Sequence, residues 1–112
     1  MTHHETLALL RREQYFRTQH FPPSAANETA FALLLEAADF RARGERAQVT
    51  ALGLNYAVPH ATRARHLAAL CKDNLLQRTP DKLDARRSWV DLTPMGSKLL
   101  ESHLAKLEQA TQ

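Results

Sequence analysis

The stretch from Leu83 to Gly96, which reads LDARRSWVDLTPMG, restricts the fold of this chain more than any other. It begins with charged residues that suit a turn, and residues 86–92 then alternate between outward and inward positions as in a strand. The inward positions are Val90 and Leu92, and the outward positions are Trp89 and Asp91. Thr93 and Pro94 form the favoured pair of N-cap and first helical residue. The sequence therefore predicts a strand that leads directly into a helix.

A second strand and a last helix flank this stretch. Residues 75–79 read as a strand and residues 80–85 as a turn, which together with residues 86–92 predicts a β-hairpin. The helix that starts at Pro94 extends to about Ala110. Its apolar side is predicted to contain Met95, Leu99, Leu100, Leu104 and Leu107.

Two helices are predicted near the N-terminus. The first covers Glu5 to Gln19, and its apolar residues lie on more than one side, which suggests two packing partners. Residues 21–24 contain two prolines and end it. The second begins at an N-cap, either Ser24 or Asn27, and runs to Arg43, with Gly44 in the left-handed cap position. Its predicted buried face consists of Phe31, Leu34, Leu35 and Ala38.

The middle of the chain reads as a helix-turn-helix. Residues 47–49 are long enough only for a one-rung strand, and Thr50 is predicted to cap a short helix through Leu52, Leu54 and Tyr56 to about Ala57. A longer helix follows from Pro59 to about Asp73, and the short connection makes the two cross steeply. Turning 100° per residue places one set of residues inward: Ala64, Leu67, Ala68, Leu70 and Cys71. The set predicted to face outward is Thr62, Arg65, His66 and Ala69.

Composition limits the class of protein. A chain of 112 residues, 44% hydrophobic and 24% charged, suits one globular domain, and no apolar window approaches the length of a membrane span. The N-terminus does not resemble a secretory signal, and the single Cys71 excludes an intramolecular disulfide, so we expect an intracellular, cytoplasmic protein. Cys71 is interpreted as a small core residue rather than a redox sensor. The six histidines lack metal-ligand spacing and no nucleophile–base pattern is present, so we predict no metal, no cofactor and no enzymatic activity.

Positive charge is concentrated in one segment. Residues 59–87 contain seven basic and three acidic side chains, a surplus of +4, whereas the rest of the chain sums to −1. The basic residues of this segment are Arg63, Arg65, Lys72, Arg78, Lys82, Arg86 and Arg87. A basic segment of this kind is typical of proteins that bind a polyanion, although on charge alone it is as often ordinary solvated surface.

The order of elements and two local patterns resemble the MarR family of bacterial transcriptional regulators. Such proteins carry a wing of the form Asp-x-Arg followed by Leu-Thr-x-x-Gly, and Asp84-Ala85-Arg86 with Leu92-Thr93-Pro94-Met95-Gly96 matches it. The helix-turn-helix residues that agree are Thr62, Arg65, Leu67, Leu70 and Leu75. The resemblance covers roughly residues 25–100 and, because a single helix follows Gly96, corresponds to a short variant. It implies a mainly α fold with a small β-hairpin, a winged helix-turn-helix.

The resemblance also implies double-stranded DNA as the partner and a homodimer as the working form. Under this resemblance, we expect residues 1–22 to be a dimerisation element and residues 23–112 to be the DNA-binding domain. Arg can bond to guanine in the major groove and Thr can contact base edges, so Thr62 and Arg65 are predicted base contacts, with Ala61 and His66 beside them. Arg63 is predicted to lie at the helix edge and meet phosphate. In the wing, Asp84 is predicted to orient Arg86 into the minor groove, while Lys82 and Arg87 attract the backbone.

Several alternatives stay open at this point. The pair of Asp84 and Arg86 could only stabilise the turn, and Trp89 is expected to pack on a neighbouring side chain rather than on DNA. The whole domain could instead be a winged-helix module that binds another protein. The sequence does not identify an operator, a direction of regulation or a small-molecule effector.

Overall fold

The computed structural model describes residues 1–54 and 57–110 and has the predicted class, mainly α with a small β-sheet. Its helices are α1 (His3–His20), α2 (Pro23–Ala26), α3 (Glu28–Ala42), α4 (His60–Lys72) and α5 (Pro94–Ala110). Its strands are β1 (Ala47–Gln48), β2 (Leu76–Pro80) and β3 (Ser88–Leu92). The order of elements is that of a winged helix-turn-helix, as predicted.

Local signals explain how the first helices begin and end. α1 starts earlier than predicted because Thr2 and Glu5 form a capping box, in which the Glu5 backbone N–H donates to the Thr2 hydroxyl at 3.1 Å. It ends where Phe21 becomes extended before a proline. The four-residue α2 that follows was not predicted. Asn27, one of the two predicted caps, begins α3 by accepting the Ala30 N–H at 3.1 Å.

The core lies between α3, α4 and the sheet, and it corrects the predicted face of α3. Phe31 and Leu34 are buried as expected, but Leu35 is 39% exposed. Leu33 and Ala37 are buried in the core cluster instead. Leu35 lies two residues from each of them, roughly 200° around the helix, so it points away from the packed face.

The short helix predicted from Thr50 to Ala57 is wrong in the part that the structure describes. Residues 49–51 form a single 3₁₀ turn capped by Gln48, and Leu52 is extended. Gly53 has φ +85°, a left-handed backbone that an α-helix cannot contain, and this interrupts any continuation. Tyr56, the predicted last apolar residue of this helix, lies outside the described residues.

The sheet is antiparallel, with β3 between β1 and β2. Val90 and Leu92 are buried and Asp91 is exposed, as the alternation predicted. The two residues of β1 pair with β3, with Ala47 opposite Val90, which matches the one-rung strand expected there. Asn74 stops α4 with φ +60° and Gly44 follows α3 with φ +73°, both in the predicted left-handed conformation.

α5 begins as predicted, because the Gly96 N–H donates to the Thr93 hydroxyl at 2.9 Å. Its inner face differs from the prediction. Leu100 is buried, but Met95 and Leu104 are exposed, and the inner row continues instead through Gly96 and His103. No helix in the described part of the chain is both long and apolar enough to cross a membrane.

His103 is a buried polar residue that the apolar pattern did not predict. Its Nε2 lies 2.8 Å from a carboxylate oxygen of Glu13, and the rings of Phe21 and Phe31 meet it edge-on. Burial raises the pKa of Glu13, but hydrogen bonds from Arg17 and His103 outweigh burial and hold the pKa below its ordinary value. This cluster fastens α1 to α5.

Candidate nucleic-acid interface

α4, predicted as the second helix of the helix-turn-helix, presents a face that is rotated relative to the prediction. Arg65 is exposed as predicted, as is the candidate Ala61. Thr62 and His66 are half-buried. Ala64 and Ala68, which were predicted to face inward, are exposed. Between its exposed end residues His60 and Lys72, the exposed surface of α4 is therefore made of alanines around Arg65.

Arg63 is the clearest correction among the candidate residues. Its side chain is not at an exposed edge: the residue is only 8% exposed, on the inner row with Leu67 and Leu70. Its Nη1 donates to the carbonyl oxygen of Leu52 at 3.2 Å. Arg63 packs closely against Gly53, where an added Cβ would lie 3.2 Å from the Arg63 Cδ. Arg63 is thus withdrawn from the set of residues that could reach a phosphate directly.

The wing tip, defined as residues 81–87, is shaped by two carboxylates. Asp81 accepts the Leu83 N–H at 2.8 Å, and Asp84 accepts the Arg86 N–H at 3.0 Å. The tip is closed by backbone hydrogen bonds between Asp81 and Arg87 at 2.9 Å and between Arg87 and Asp84 at 3.0 Å. Such turns, in which Asp side chains bind nearby backbone amides, fix the chain without a buried core.

The charged side chains of the tip differ in their exposure and in their ion pairs. The Arg86 Nε lies 3.3 Å from Asp84 Oδ1, so the predicted pairing is present, yet the Arg86 side chain is 93% exposed. Arg87 is held more firmly, since its Nε lies 3.3 Å from Asp81 and its Nη2 lies 3.9 Å from Asp84. Lys82 is exposed at the same tip. The Leu83 backbone N–H, together with the charge of Arg87, lowers the pKa of Asp81.

Trp89 packs on neighbouring side chains, as predicted, and these are cations. The guanidinium of Arg46 lies 4.2 Å from the centre of its ring and that of Arg87 lies 5.8 Å away. Arg46 has no role in the sequence prediction, because only the fold brings the loop before β1 beside β3.

A cleft of about 490 Å³ joins the start of α4 to the wing. Its walls carry His60 from α4, Arg78 from β2, and Arg86 and Arg87 from the wing. Asp84 is the acidic residue among its described walls, and it is already paired with both wing arginines. His60 and Arg78 were not predicted as site residues. The exposed run along β2 was the available signal for Arg78, whereas nothing in the sequence pointed to His60.

Metal binding and a reactive cysteine are two further kinds of site that the described residues allow us to examine. Within residues 1–54 and 57–110, no group of three His, Cys, Asp or Glu residues is arranged to hold a metal ion. Cys71 packs against the core, and burial raises the pKa of its thiol, with the charge of Arg78 opposing. A raised pKa favours the unreactive thiol over the thiolate, which agrees with a packing role.

Comparison with known proteins identifies the fold. No protein-family model matches the chain, and no curated protein matches it in sequence. Among solved structures, a mutant of MepR from S. aureus bound to an oligodeoxyribonucleotide superposes with a TM-score of 0.81 and 18% identity, over 96% of this chain and 73% of that one. MarR gives a TM-score of 0.66 and 21% identity over 93% and 72%.

A third solved structure is more similar in sequence. Bordetella bronchiseptica BpsR, whose structure concerns the regulation of its DNA binding by 6-hydroxynicotinic acid, gives 27% identity and a TM-score of 0.61, over 97% of this chain and 80% of that one. These likenesses agree with the resemblance predicted from the wing and the helix-turn-helix. The chain has the winged helix-turn-helix fold of the MarR family of transcriptional regulators.

Proposed function

We propose that this protein is a sequence-specific, double-stranded DNA-binding transcriptional regulator of the MarR type. The observation that carries the proposal is the basic cleft, which joins the first turn of α4 to the wing arginines. A helix in the major groove and a wing over the adjacent minor groove would leave a phosphate backbone between them, at the position of such a cleft. The MepR neighbour bound to an oligodeoxyribonucleotide supports the same partner.

The proposed roles follow from exposure and charge. Arg65 is exposed on α4 and would bond to a guanine edge, with Ala61, Thr62 and His66 close to the bases or sugars. Arg86, oriented by Asp84 and 93% exposed, would enter the minor groove, whose negative potential attracts arginine. Lys82 and Arg87 would bind the backbone. The protein would act in the cytoplasm as a regulator without enzymatic activity.

We infer that the working form is a homodimer. Leu7, Leu10 and Tyr15 on α1 are exposed apolar residues, while α1 is fastened to α5 through Glu13 and His103. This arrangement supports residues 1–22 as a dimerisation element and residues 23–112 as the DNA-binding domain. Two-fold symmetry would place the two α4 helices about 34 Å apart and require a roughly palindromic site.

Selection from a pool of random duplexes tests the proposal. We expect enrichment of a palindrome, and a steep loss of affinity for it as salt rises. Arg65→Ala should flatten the preference between the selected site and its variants. No enrichment, together with binding that does not depend on salt, would instead favour the winged-helix protein-interaction module.

A further inference from the structure

His60 and Arg63 form a pair that connects the core of the domain to the basic cleft. His60 is the first residue of α4, is exposed, and lines the cleft. Its Nδ1 lies 3.1 Å from Nη2 of the buried Arg63, one turn further along the helix. The exposed imidazole of His60 is therefore in contact with Arg63, whose side chain is itself hydrogen-bonded to the carbonyl of Leu52.

The chemistry of this contact defines the state of the imidazole. A guanidinium has only hydrogen-bond donors, so Nδ1 of His60 must be the acceptor. In a neutral imidazole the proton then resides on Nε2, at the far side of the ring from Arg63. The contact thus assigns the N–H donor of the neutral ring to Nε2, on a residue that lines the cleft.

The charge of Arg63 lacks a conventional partner. In the part of the chain that the structure describes, its polar contacts are the carbonyl of Leu52 and the imidazole of His60, not a carboxylate. A buried charge without a counter-charge is costly, and it is screened less by salt than an exposed one. An anion in the adjacent cleft would supply the missing counter-charge.

We propose that His60 donates its Nε2–H to a DNA backbone phosphate in the cleft between α4 and the wing, and that Arg63 is the positioning residue that fixes its tautomer. This rests on the proposed function, because the phosphate belongs to the DNA bound by α4 and the wing. It also gives Arg63 an indirect part in binding, although its side chain does not reach the surface.

Binding to a short duplex of mixed sequence, measured over a range of salt concentrations, tests the proposal. His60→Ala should weaken binding about fivefold to tenfold at every salt concentration without changing the salt dependence, because a neutral donor releases no counterion. Arg86→Ala should lower the salt slope by about 1. His60→Gln, which retains an N–H donor at the same reach, should restore most of the affinity. Ser102→Ala is the control, because Ser102 is an exposed neutral residue of α5 outside both residues 1–22 and the cleft.

Arg63→Met tests the positioning role. Methionine keeps the apolar volume and removes the buried charge, so the melting temperature should stay the same or rise while the affinity falls as in His60→Ala. The double variant His60→Ala/Arg63→Met should be no weaker than either single variant. Nitrogen NMR of His60 should show the Nε2–H tautomer in the wild type and a tautomer mixture in Arg63→Met.

The outcomes are distinct. Wild-type affinity in His60→Ala, or additive losses in the double variant, would overturn this proposal while leaving DNA binding intact. Absence of salt-dependent duplex binding by the wild type would overturn both proposals. Inorganic phosphate at constant ionic strength should leave the His60 resonances unchanged, and a saturable shift would identify a free-anion site and overturn the assignment to DNA. His60→Ala changes an exposed side chain and therefore carries the test even if Arg63→Met does not fold.

Discussion

The tip and the base of the wing are held in shape by different interactions. The wing tip is exposed, and its shape depends on Asp81 and Asp84 binding backbone amides and arginines. The wing base, defined as residues 92–96 with Leu75, is closely packed: Thr93 is buried and its N–H donates to the Leu75 carbonyl at 3.1 Å. One short sequence pattern thus contains exposed residues that shape the wing tip and buried residues that stabilise the fold.

Gly96 shows why the base has its particular sequence. A Cβ added at this position would lie 2.1 Å from the carbonyl oxygen of Leu75, which is backbone and cannot move aside cheaply. The first turn of α5 therefore packs directly on the backbone of Leu75, just before β2, only if residue 96 has no side chain. Changes at the base should therefore act on stability, whereas changes at the tip should act on binding.

The largest expected effect lies at the base. Gly96→Ala should lower the free energy of unfolding by about 3 kcal/mol or more, because α5 must move off the Leu75 carbonyl. Gly44→Ala is a matched control, since that site has open space and only its left-handed backbone costs about 1 kcal/mol. Urea unfolding of both variants measures the difference. Equal losses would show that the close approach at Gly96 does not govern stability.

The tip should give the opposite result. Arg86→Ala should leave the unfolding midpoint within the error of the wild type, because the side chain is 93% exposed and its ion pair, among the residues that the structure describes, is with Asp84 alone. Its affinity for duplex should nevertheless fall about tenfold, or roughly 1.4 kcal/mol. Thermal unfolding and a binding titration on the same sample check both parts. A destabilised variant would mean that the tip also supports the fold.

The helix cap at Thr93 gives a second test of the wing base. The Thr93 hydroxyl accepts the Gly96 N–H at 2.9 Å and donates to the Asn74 carbonyl. Thr93→Ala should therefore cost about 1 kcal/mol of stability, with unchanged affinity per folded molecule. Thr93→Ser keeps the hydroxyl and should restore most of the loss. If the serine variant were as unstable as the alanine variant, packing of the methyl group rather than the cap would be responsible.

Lowering the pH should weaken the hydrogen bond of Asp81 in the wing tip before it affects the wing base. The Leu83 N–H and the charge of Arg87 lower the pKa of Asp81, so its contribution is fully present above the ordinary pKa of Asp and is lost as the pH falls through the lowered value. The Leu83 amide resonance should follow this titration with a midpoint below that of an unperturbed Asp. Asp81→Asn should abolish the transition, and a midpoint at or above the ordinary value would contradict the role of this hydrogen bond.

The sequence predicted most of the wing because its determinants are local. The cap at Thr93, the alternation of β3, and the pairing of Asp84 with Arg86 involve residues within a few positions of one another. The rotation of α4 was not predictable in the same way. The inward-facing Arg63 packs against Gly53 and donates to the carbonyl of Leu52, both in the preceding loop, and the periodicity of α4 contains no information about these partners.

The same reasoning explains the other residues that the sequence did not identify. His103 is buried because a partner 90 positions away, Glu13, satisfies its Nε2, and an apolar helical pattern contains no information about such a partner. Arg46 and Arg78 reach the wing and the cleft through strand pairing. Leu33 rather than Leu35 is buried in the core because neighbouring elements, and not periodicity alone, decide which side of α3 is enclosed.

The stacking of Arg46 and Arg87 on Trp89 has a practical consequence. Trp89 is the single tryptophan of the chain, so the indole fluorescence of the protein comes from one position on β3, beside the wing tip. A cation held 4.2 Å from the ring influences its emission, and Arg87 links that ring to the carboxylates of the tip. The protein therefore carries an intrinsic optical probe in its wing, with which events at the tip can be followed in real time without a dye.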